Sequence, residues 1–427
     1  MPATRACCIL DVMQHVASSP VIPVPEPDLT AEEMVERAAA MREALREEAP
    51  AAEARGGYSE EMHRTFTAAG FYRILQPRRF GGYEFGLDTF LRVVVEISRG
   101  DPATGWALCL AAGHGFQIAS FFSEPAQAEL FGPDGHFVAP NRGIPRGSAT
   151  PVDGGWKVTA RWDYASGVTH ATHMMGVTMA QDPTGNGRPA PIIVVLRRED
   201  ITVLDDWGGD ATIGLSATGS NTVQADDVFV PAHLALPYDW KDFDIPPEGT
   251  PGYRLHGNPM YLGRALTFFY GELNATQVGA GRAALDEYAE LMHTKATSFP
   301  PPMPRSESPD FQRWYGEASS LVDTAELALV AAAQRYLEKG RRWAQHGEAF
   351  TPRDDARLRD VMAQAGKLAW QAVDLMFTTA GTSAARRGSR LQRYFRDTAM
   401  FRTHIAAQYD VVAGSTGRVL LGQPLTH

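Results

Sequence analysis

Cysteine is scarce in this sequence, which contains only Cys7, Cys8 and Cys109 among its 427 residues. So few cysteines provide neither a disulfide framework nor a spaced metal-binding quartet, and such usage is typical of a reducing cytoplasm. Runs of five or more Lys or Arg residues are also absent, and the formal net charge is −10. Both features argue against a nucleic-acid-binding surface, so we expect a small-molecule ligand.

Two further absences concern membranes and dinucleotides. No apolar run reaches the ~18 residues of a membrane span, and residues 1–28 lack the cleavage pattern of a secretion signal. We interpret residues 1–28 as a flexible leader. No GxGxxG motif opens a helix after a strand, and Gly279 and Gly281 lie inside a helical pattern. An NAD(P)H site is therefore not indicated.

Helix signals dominate residues 29–134. Thr30 and Glu33 form a capping-box pattern ahead of a long amphipathic stretch, and Gly70 ends a second helix. Pro102 opens an apolar helix that is predicted to run to about residue 122. These residues therefore predict an N-terminal helical domain.

In the remaining sequence, the spacing of apolar residues changes from a helical to a strand pattern and then back. Residues 135–240 contain short β-branched runs, such as WKVTARW, APIIVVLRR and NTVQADDVFVP, which predict a small antiparallel β domain. From residue 241 to residue 427 the sequence is helical again. Helices are predicted over about 264–294, 309–345 and 352–380, with a last helix from about 391. Four long helices with short connections predict a C-terminal four-helix bundle, so the fold class is α+β.

This order of a helical domain, a β domain and a four-helix bundle resembles the acyl-CoA dehydrogenase fold, in which a flavin lies between the β domain and the bundle. Five strings carry a sharper resemblance: QPRRFGGYEFGLDTF (76–90), GDPATGWALCLAAGHG (100–115), PVDGGWKVTARWDYASG (151–167), LSATGSNTVQADDVFVP (215–231) and RLQRYFRDTAMFRTH (390–404). Together they are similar to the oxygenase components of two-component flavin-dependent monooxygenases of the p-hydroxyphenylacetate 3-hydroxylase type. The resemblance covers about residues 30–422.

One departure separates this sequence from the dehydrogenases of that fold. Dehydrogenases carry a glutamate base in a Glu-Gly-Thr string that follows an Arg-Asp pair in the last long helix. Here Arg396 and Asp397 are present, but the chain continues TAMFRTHIAAQ, and His404 stands where the carboxylate is expected. The missing glutamate argues for the oxygenase branch.

The resemblance implies an oxygenase that takes reduced FMN or FAD from a separate NAD(P)H:flavin reductase and reacts with O2. A C4a-hydroperoxyflavin would hydroxylate an aromatic, phenolic substrate, and the enzyme would be a cytoplasmic homotetramer. This chemistry requires exclusion of water and retention of the proton on flavin N5. Ser166, in the Trp-x-x-x-Ser-Gly string, matches the family serine near N5, and Gly167 would let the backbone approach the ring. A strand-end turn is the structural alternative for this pair.

Histidines supply the second set of candidates. His404 is predicted to act on the substrate hydroxyl, because the pKa of histidine suits proton transfer near neutrality; a packed core or surface histidine is the alternative. His114, in the AAGHG string, resembles a substrate-side histidine, although a helix-end histidine fits equally well. His170 and His173 lie three residues apart without a carboxylate or cysteine at ligand spacing, so no metal site is predicted.

Further contacts are implied by the resemblance alone, and each has a plain structural alternative. Core packing is the alternative for the aromatic residues, a tight turn for the SATGSN loop, and ion pairing or solvent exposure for the basic residues. The predicted substrate contacts are Phe268 and Tyr270. The predicted flavin contacts are Trp162, Asn141, Ser216, Thr218, Ser220, Lys295 and Arg396.

Three rival functions remain open on the sequence alone. The first keeps the fold but oxidises nitrogen or sulfur, and a substrate without an acidic hydroxyl should depend much less on His404. The second is an acyl-CoA dehydrogenase, which the missing glutamate disfavours. The third is a non-catalytic flavin- or ligand-binding protein, which an absence of oxygen chemistry would favour.

Overall fold

The computed structural model describes residues 21–182, 187–240 and 243–424. Residues 1–20 of the predicted leader therefore lie outside the described residues. The end of the leader packs on the helical domain: the Ile22 N–H donates to the Arg79 carbonyl at 2.9 Å, and Arg37 donates to both carboxylate oxygens of Glu26.

The N-terminal domain is helical, as predicted. The capping box at Thr30 is formed, and Gly70 ends the third helix with a left-handed φ of 83°. The apolar stretch after Pro102 forms two helices instead of one, because the chain turns at His114 between Gly113 and Gly115. The helices are α1 (Ala31–Ala40), α2 (Arg42–Arg55), α3 (Glu60–Ala69), α4 (Leu87–Gly100), α5 (Pro102–Gly113), α6 (Gly115–Phe121) and α7 (Glu124–Phe131).

The middle domain is one sheet with the strand order β6-β7-β3-β2-β4-β5-β8, and β1 pairs with β4. Most pairings are antiparallel, as predicted, but β4 pairs in parallel with both β1 and β2, so the sheet is mixed. The strands are β1 (Asn141–Arg142), β2 (Ser148–Val152), β3 (Gly155–Trp162), β4 (His173–Ala180), β5 (Ala190–Arg197), β6 (Thr202–Val203), β7 (Val223–Pro231) and β8 (Ala235–Pro237).

The C-terminal region contains the long helices that the sequence predicts. Helices α9, α10 and α11 pack against one another, and α12 packs against α9 and α11. The prediction that His404 lies on the last long helix is wrong, because α12 ends at Phe401 and a new helix begins at Tyr409. The helices are α8 (Pro251–His256), α9 (Ala265–Thr294), α10 (Pro309–His346), α11 (Pro352–Thr379), α12 (Arg390–Phe401) and α13 (Tyr409–Leu420).

Helix α5 lies at the junction of the three regions. Every residue of α5 except Leu110 is buried, as expected for a helix that is apolar on all faces. It packs against α4, α9 and α12, and its backbone contacts the loop that follows β3. The described helices include none that is both long and apolar enough to cross a membrane.

Candidate active site

The loop after β3 brings Ser166 and Gly167 against α5. Gly167 has a φ of 82°, and a Cβ at this position would lie 2.6 Å from the Ala107 carbonyl oxygen. The Gly167 N–H donates to the Thr218 carbonyl at 2.8 Å. Glycine is therefore required because the backbone contacts α5 and adopts a left-handed conformation. This packing leaves the Ser166 side chain only 7% exposed.

The Ser166 hydroxyl belongs to a chain of buried hydroxyl groups. Ser166 Oγ lies 2.6 Å from Ser220 Oγ, and Ser220 Oγ lies 2.6 Å from Thr218 Oγ1. The Thr218 hydroxyl donates to the Leu215 carbonyl at 2.8 Å. The structure thus brings Ser166 together with two of the three predicted residues of the SATGSN loop. The third, Ser216, has its hydroxyl 3.4 Å from that of Thr212 instead.

His404 also contacts α5, and it lies in the turn between α12 and α13. Its ring makes an edge contact with Trp106 of α5, with ring centroids 5.2 Å apart, and stacks near Phe401. The backbone of His404 is extended and caps the short 3-10 helix that follows. The helix ends here because the His404 ring and the Thr403 hydroxyl form local hydrogen bonds to the backbone.

The proton position on His404 follows from its backbone contact. The Ala406 N–H lies 3.1 Å from Nδ1 and can only donate, so Nδ1 accepts and the neutral ring carries its proton on Nε2. Burial, with the nearby charge of Arg142, lowers the pKa of His404 to about 4. At neutral pH, His404 therefore offers an N–H donor. This geometry does not provide the general base that the sequence analysis predicted.

His114 has the opposite tautomer. Its Nδ1 lies 2.8 Å from the Ala139 carbonyl, which can only accept, so the proton is on Nδ1 and Nε2 keeps a lone pair. Burial lowers the pKa of His114 to about 4. Nε2 lies 3.8 Å from Glu272 Oε1, and the ring is near Phe268, which lies one turn before Glu272 on α9.

Glu272 is a buried acid that the sequence analysis missed. It is 1% exposed, and its Oε2 has no hydrogen-bond partner within the described part of the chain. Burial raises the pKa of Glu272 well above its usual value and so favours the neutral carboxyl. An acidic residue in the apolar stretch ALTFFYGELNATQVGAG was the available signal.

We expect Glu272→Gln to remove a pH-dependent loss of stability. Because the native carboxyl binds its proton more tightly than the unfolded one, stability is greatest below the unfolded pKa and falls as pH rises towards the native pKa. The difference in free energy of unfolding between variant and wild type should therefore grow with pH, by up to about 1.4 kcal/mol per unit. Thermal melts from pH 5.5 to 8.5 measure this trend.

The matched control for this experiment is Glu317→Gln, because Glu317 is an exposed glutamate on α10. Its melting temperature should follow that of the wild type at every pH. A Glu272→Gln variant that is equally destabilised at all pH values would contradict a neutral buried carboxyl.

Helix α12 holds the loop that carries the hydroxyl chain. The Leu215 N–H donates to Asp397 Oδ1 at 2.6 Å, and Arg396 donates to the Ile213 carbonyl at 2.9 Å. Arg396 also forms an ion pair with Glu53. Burial, and then the charge of Asp101, raises the pKa of Asp397. In this chain, Arg396 therefore positions the SATGSN loop, and its predicted flavin contact stays a prediction.

Asn141 on β1 and Gln117 on α6 form a polar pair. Asn141 on β1 donates to Gln117 Oε1 at 3.0 Å, whereas Asn141 Oδ1 and Gln117 Nε2 have no partner among the residues with described positions. The next residue, Arg142, is partly buried near His404 and forms no ion pair within the described ranges. Gln117 and Arg142 were not predicted from the sequence, because they come from α6 and from β1, which are joined here only by tertiary contacts.

Other predicted residues lie apart from this cluster. Trp162 is fully enclosed, with its indole N–H donating to the Val177 carbonyl and its ring against Gly176. Tyr270 faces Arg359 across the bundle. Lys295 follows α9 and is separated from Phe268 by about 40 Å of helix, at about 1.5 Å per residue. Within one chain, Lys295 therefore does not reach the site beside α5.

The histidines after Ser166 form local contacts. His170 stacks on His63 and contacts the Tyr58 carbonyl, whereas His173 stacks on Phe137. No group of three His, Cys, Asp or Glu residues that could hold a metal ion occurs in the residues that were described.

These groups fit the edge of a flavin ring. Ser166, Asn141 and Gln117 each have unused hydrogen-bonding capacity, and buried groups of this kind normally have partners in a complete site.

Comparison with known proteins agrees with the fold and the motifs. Residues 30–134 match the model of the acyl-CoA dehydrogenase N-terminal domain, and residues 273–409 match that of its C-terminal domain. A pigment production hydroxylase from Rhodococcus sp. (strain ATCC 21145) is 30% identical, with 93% of this chain and 99% of the relative covered. The oxygenase component of an FADH2-dependent resorcinol hydroxylase from Rhizobium sp. (strain MTP-10005) is 28% identical, over 83% of this chain and 85% of the relative.

The chain belongs to the oxygenase components of flavin-dependent monooxygenases with the acyl-CoA dehydrogenase fold. The crystal structure of a 3-HSA hydroxylase from Rhodococcus sp. RHA1 superposes on this oxygenase with a TM-score of 0.82 at 27% identity, and the match covers 92% of this chain and 98% of the other. The family that the sequence strings indicate is thereby confirmed, and the oxygenase is a flavin-dependent enzyme.

Proposed function

We propose that this oxygenase uses reduced flavin and O2 to hydroxylate an aromatic substrate with a phenolic hydroxyl. Hydroxylase names among its relatives support the reaction class. The observation that carries the proposal is that the Ser166-Gly167 pair and His404 contact neighbouring residues of α5, Ala107 and Trp106, with an acceptor at Ser166 and an N–H donor at His404. When bound, reduced flavin supplies the electrons that activate O2.

Ser166 would hold a proton at the flavin. A neutral hydroxyl oxygen can accept a hydrogen bond from N5–H without removing the proton, and burial of the loop excludes water from this contact. Asn141 and Gln117 have a free acceptor and a free donor for the polar edge of the ring. Gly167 keeps the loop close to α5, so the distance between Ser166 and the site is fixed.

His404 would act on the substrate oxygen. Its Nε2–H can donate to the phenol oxygen and stabilise the negative charge that this oxygen carries once its proton is lost; electrons then move from this oxygen into the ring as oxygen is transferred. Arg142, which lies near His404 without an ion-pair partner in the described part of the chain, adds positive potential on the same side. Both groups favour phenolate character without requiring a base of high pKa.

The cofactor form, the assembly and the location are also proposed. We propose reduced FMN or FAD from a separate NAD(P)H:flavin reductase, which places the enzyme in the cytoplasm with its reductant. We further propose a homotetramer, in which Lys295 serves the flavin of a neighbouring subunit, because α9 carries it far from the site of its own chain. Exposed apolar side chains on the bundle support such contacts: Leu327, Val361, Ile405, Val411, Leu420 and Leu421.

Oxygen-isotope labelling tests the proposed function. The protein is mixed anaerobically with chemically reduced FMN or FAD and a panel of phenols, and 18O2 is then admitted. Incorporation of one 18O atom into a phenol supports the proposal. Incorporation into an amine or sulfide offered in parallel would identify an N- or S-oxygenase, and oxidation of an acyl thioester without oxygen incorporation would identify a dehydrogenase.

A further inference from the structure

The hydroxyl chain beside Ser166 has a defined direction. It begins at the Leu215 carbonyl, which accepts from both the backbone N–H and the hydroxyl of Thr218, at 3.2 and 2.8 Å. It continues through Ser220 to Ser166, with 2.6 Å between successive hydroxyl oxygens. All three hydroxyl residues are 7% exposed or less, so bulk water does not compete for these contacts.

The number of hydroxyl protons determines which group donates in each hydrogen bond of the hydroxyl chain. Each hydroxyl has one proton, and a carbonyl has none. Because Thr218 donates its proton to Leu215, the hydrogen bond between Thr218 and Ser220 requires the proton of Ser220. The bond between Ser220 and Ser166 then requires the proton of Ser166. Ser166 therefore has lone pairs to offer the site and no proton to donate.

Leu215, where the chain of hydroxyl groups begins, has a fixed backbone conformation. Leu215 has a φ of 53°, which is unusual for a residue with a side chain, and its N–H donates to Asp397 at 2.6 Å. Gly214 packs against the backbone of Arg396, where a Cβ would lie 2.2 Å from the carbonyl oxygen. Helix α12 thus fixes the carbonyl that sets the direction of all three hydroxyl groups.

We propose that Thr218 and Ser220 are positioning residues that keep Ser166 a pure hydrogen-bond acceptor for N5–H of reduced flavin. This inference rests on the proposed function. It differs from the expectation that the Thr218 and Ser220 hydroxyls donate to the flavin phosphate, because their protons are used within the protein.

The proposed arrangement discriminates between redox states of the flavin. Reduced flavin has a proton on N5 and can donate to Ser166, whereas oxidised flavin has only a lone pair there. Without the chain, the Ser166 hydroxyl could rotate and donate to oxidised N5. Loss of either positioning residue should therefore weaken binding of reduced flavin and strengthen binding of oxidised flavin.

Binding measurements on Ser220→Ala and Thr218→Val test the proposal. Dissociation constants for reduced FMN, measured anaerobically, and for oxidised FMN are compared in each protein, and the pair is repeated with FAD. The ratio of oxidised to reduced dissociation constants should fall about tenfold in Ser220→Ala, the effect of one hydrogen bond. Thr218→Val should also lower this ratio, although Ser166 and Ser220 both remain.

Two further variants make the result specific. Thr222→Val is the matched control, because Thr222 is a buried threonine of the same loop whose hydroxyl contacts Asp163 instead; its ratio should equal that of the wild type. In a Ser166→Ala background, Ser220→Ala should have no further effect, because the chain acts only through Ser166.

The outcomes distinguish failure of the positioning role from failure of the proposed function. A wild type that prefers reduced flavin, with unchanged ratios in Ser220→Ala and Thr218→Val, would overturn the positioning role and leave the proposed function standing. Additive effects of Ser166→Ala and Ser220→Ala would overturn it as well, since Ser220 would then contact the flavin directly. A wild type that binds neither flavin form would overturn the proposed function and the inference together.

Discussion

Replacement of Ser166 with alanine is expected to divert most of the reduced flavin from hydroxylation to release of hydrogen peroxide. The Ser166 oxygen is the acceptor that the loop presents at the site, and alanine removes it without changing the packing of Gly167 on α5. Losing one hydrogen bond to a reacting group costs about 1.5–3 kcal/mol, which corresponds to a change of about 10- to 100-fold. The ratio of hydroxylated phenol to hydrogen peroxide measures this partition.

Ser120→Ala provides the control for this variant. Ser120 is a fully buried serine on α6 whose hydroxyl donates to the Phe116 carbonyl of its own helix at 2.7 Å. Its product-to-peroxide ratio should match that of the wild type. If Ser166→Ala lowers flavin affinity and leaves the ratio unchanged at saturating reduced flavin, Ser166 binds the cofactor without protecting the reaction.

The fold could be predicted from the sequence because the residues that begin and end its helices act locally. The capping box at Thr30, the glycine after α3 and the proline that opens α5 each act within one helical turn, and all three form as predicted. The parallel pairings of β4 were not accessible, since the strands that pair in parallel are distant in sequence and carry no turn signal.

The site could be predicted only in part, because some of its features depend on contacts between residues that are distant in sequence. The Ser-Gly pair after β3 and the histidine after α12 were visible as residues in family strings. The helix break before His404 was not, because the apolar spacing of α12 continues and no proline or glycine interrupts it. The contact of Nδ1 with Ala406 sets the tautomer of His404, and this contact exists only once the turn has formed.

The properties of buried polar groups are the part of the site that the sequence predicts least well. The apolar stretch around Glu272 is a sequence signal for burial, but the pKa of its carboxyl is raised only when α4 and α5 pack against α9. The direction of the hydroxyl chain likewise depends on Leu215, whose backbone is held by a helix that begins 175 residues later in the chain, at Arg390. Such properties follow from tertiary packing, which residue spacing does not encode.

Replacement of His404 with alanine should lower the rate of phenol hydroxylation by about 10²–10³-fold, the usual cost of removing one hydrogen-bond donor to a reacting anion, here the phenolate. His404→Gln should recover part of this loss, because the amide of glutamine can also donate a hydrogen bond. With a pKa of about 4, His404 stays neutral at working pH, so the wild-type rate should show no His404 inflection between about pH 6 and 9.

A general-base role for His404 makes different predictions from the donor role. A base would give a rate that rises with pH through the histidine pKa, and glutamine would not replace it, since an amide cannot take up the proton. Because a base with a pKa of about 4 would also give a flat profile between about pH 6 and 9, the rate of His404→Gln relative to His404→Ala is the measurement that separates the two roles. The hydrogen bond from Ala406 to Nδ1 favours the donor, because that nitrogen would have to lose this contact to accept a proton. Failure of His404→Gln to exceed His404→Ala at any pH would remove the donor from the mechanism.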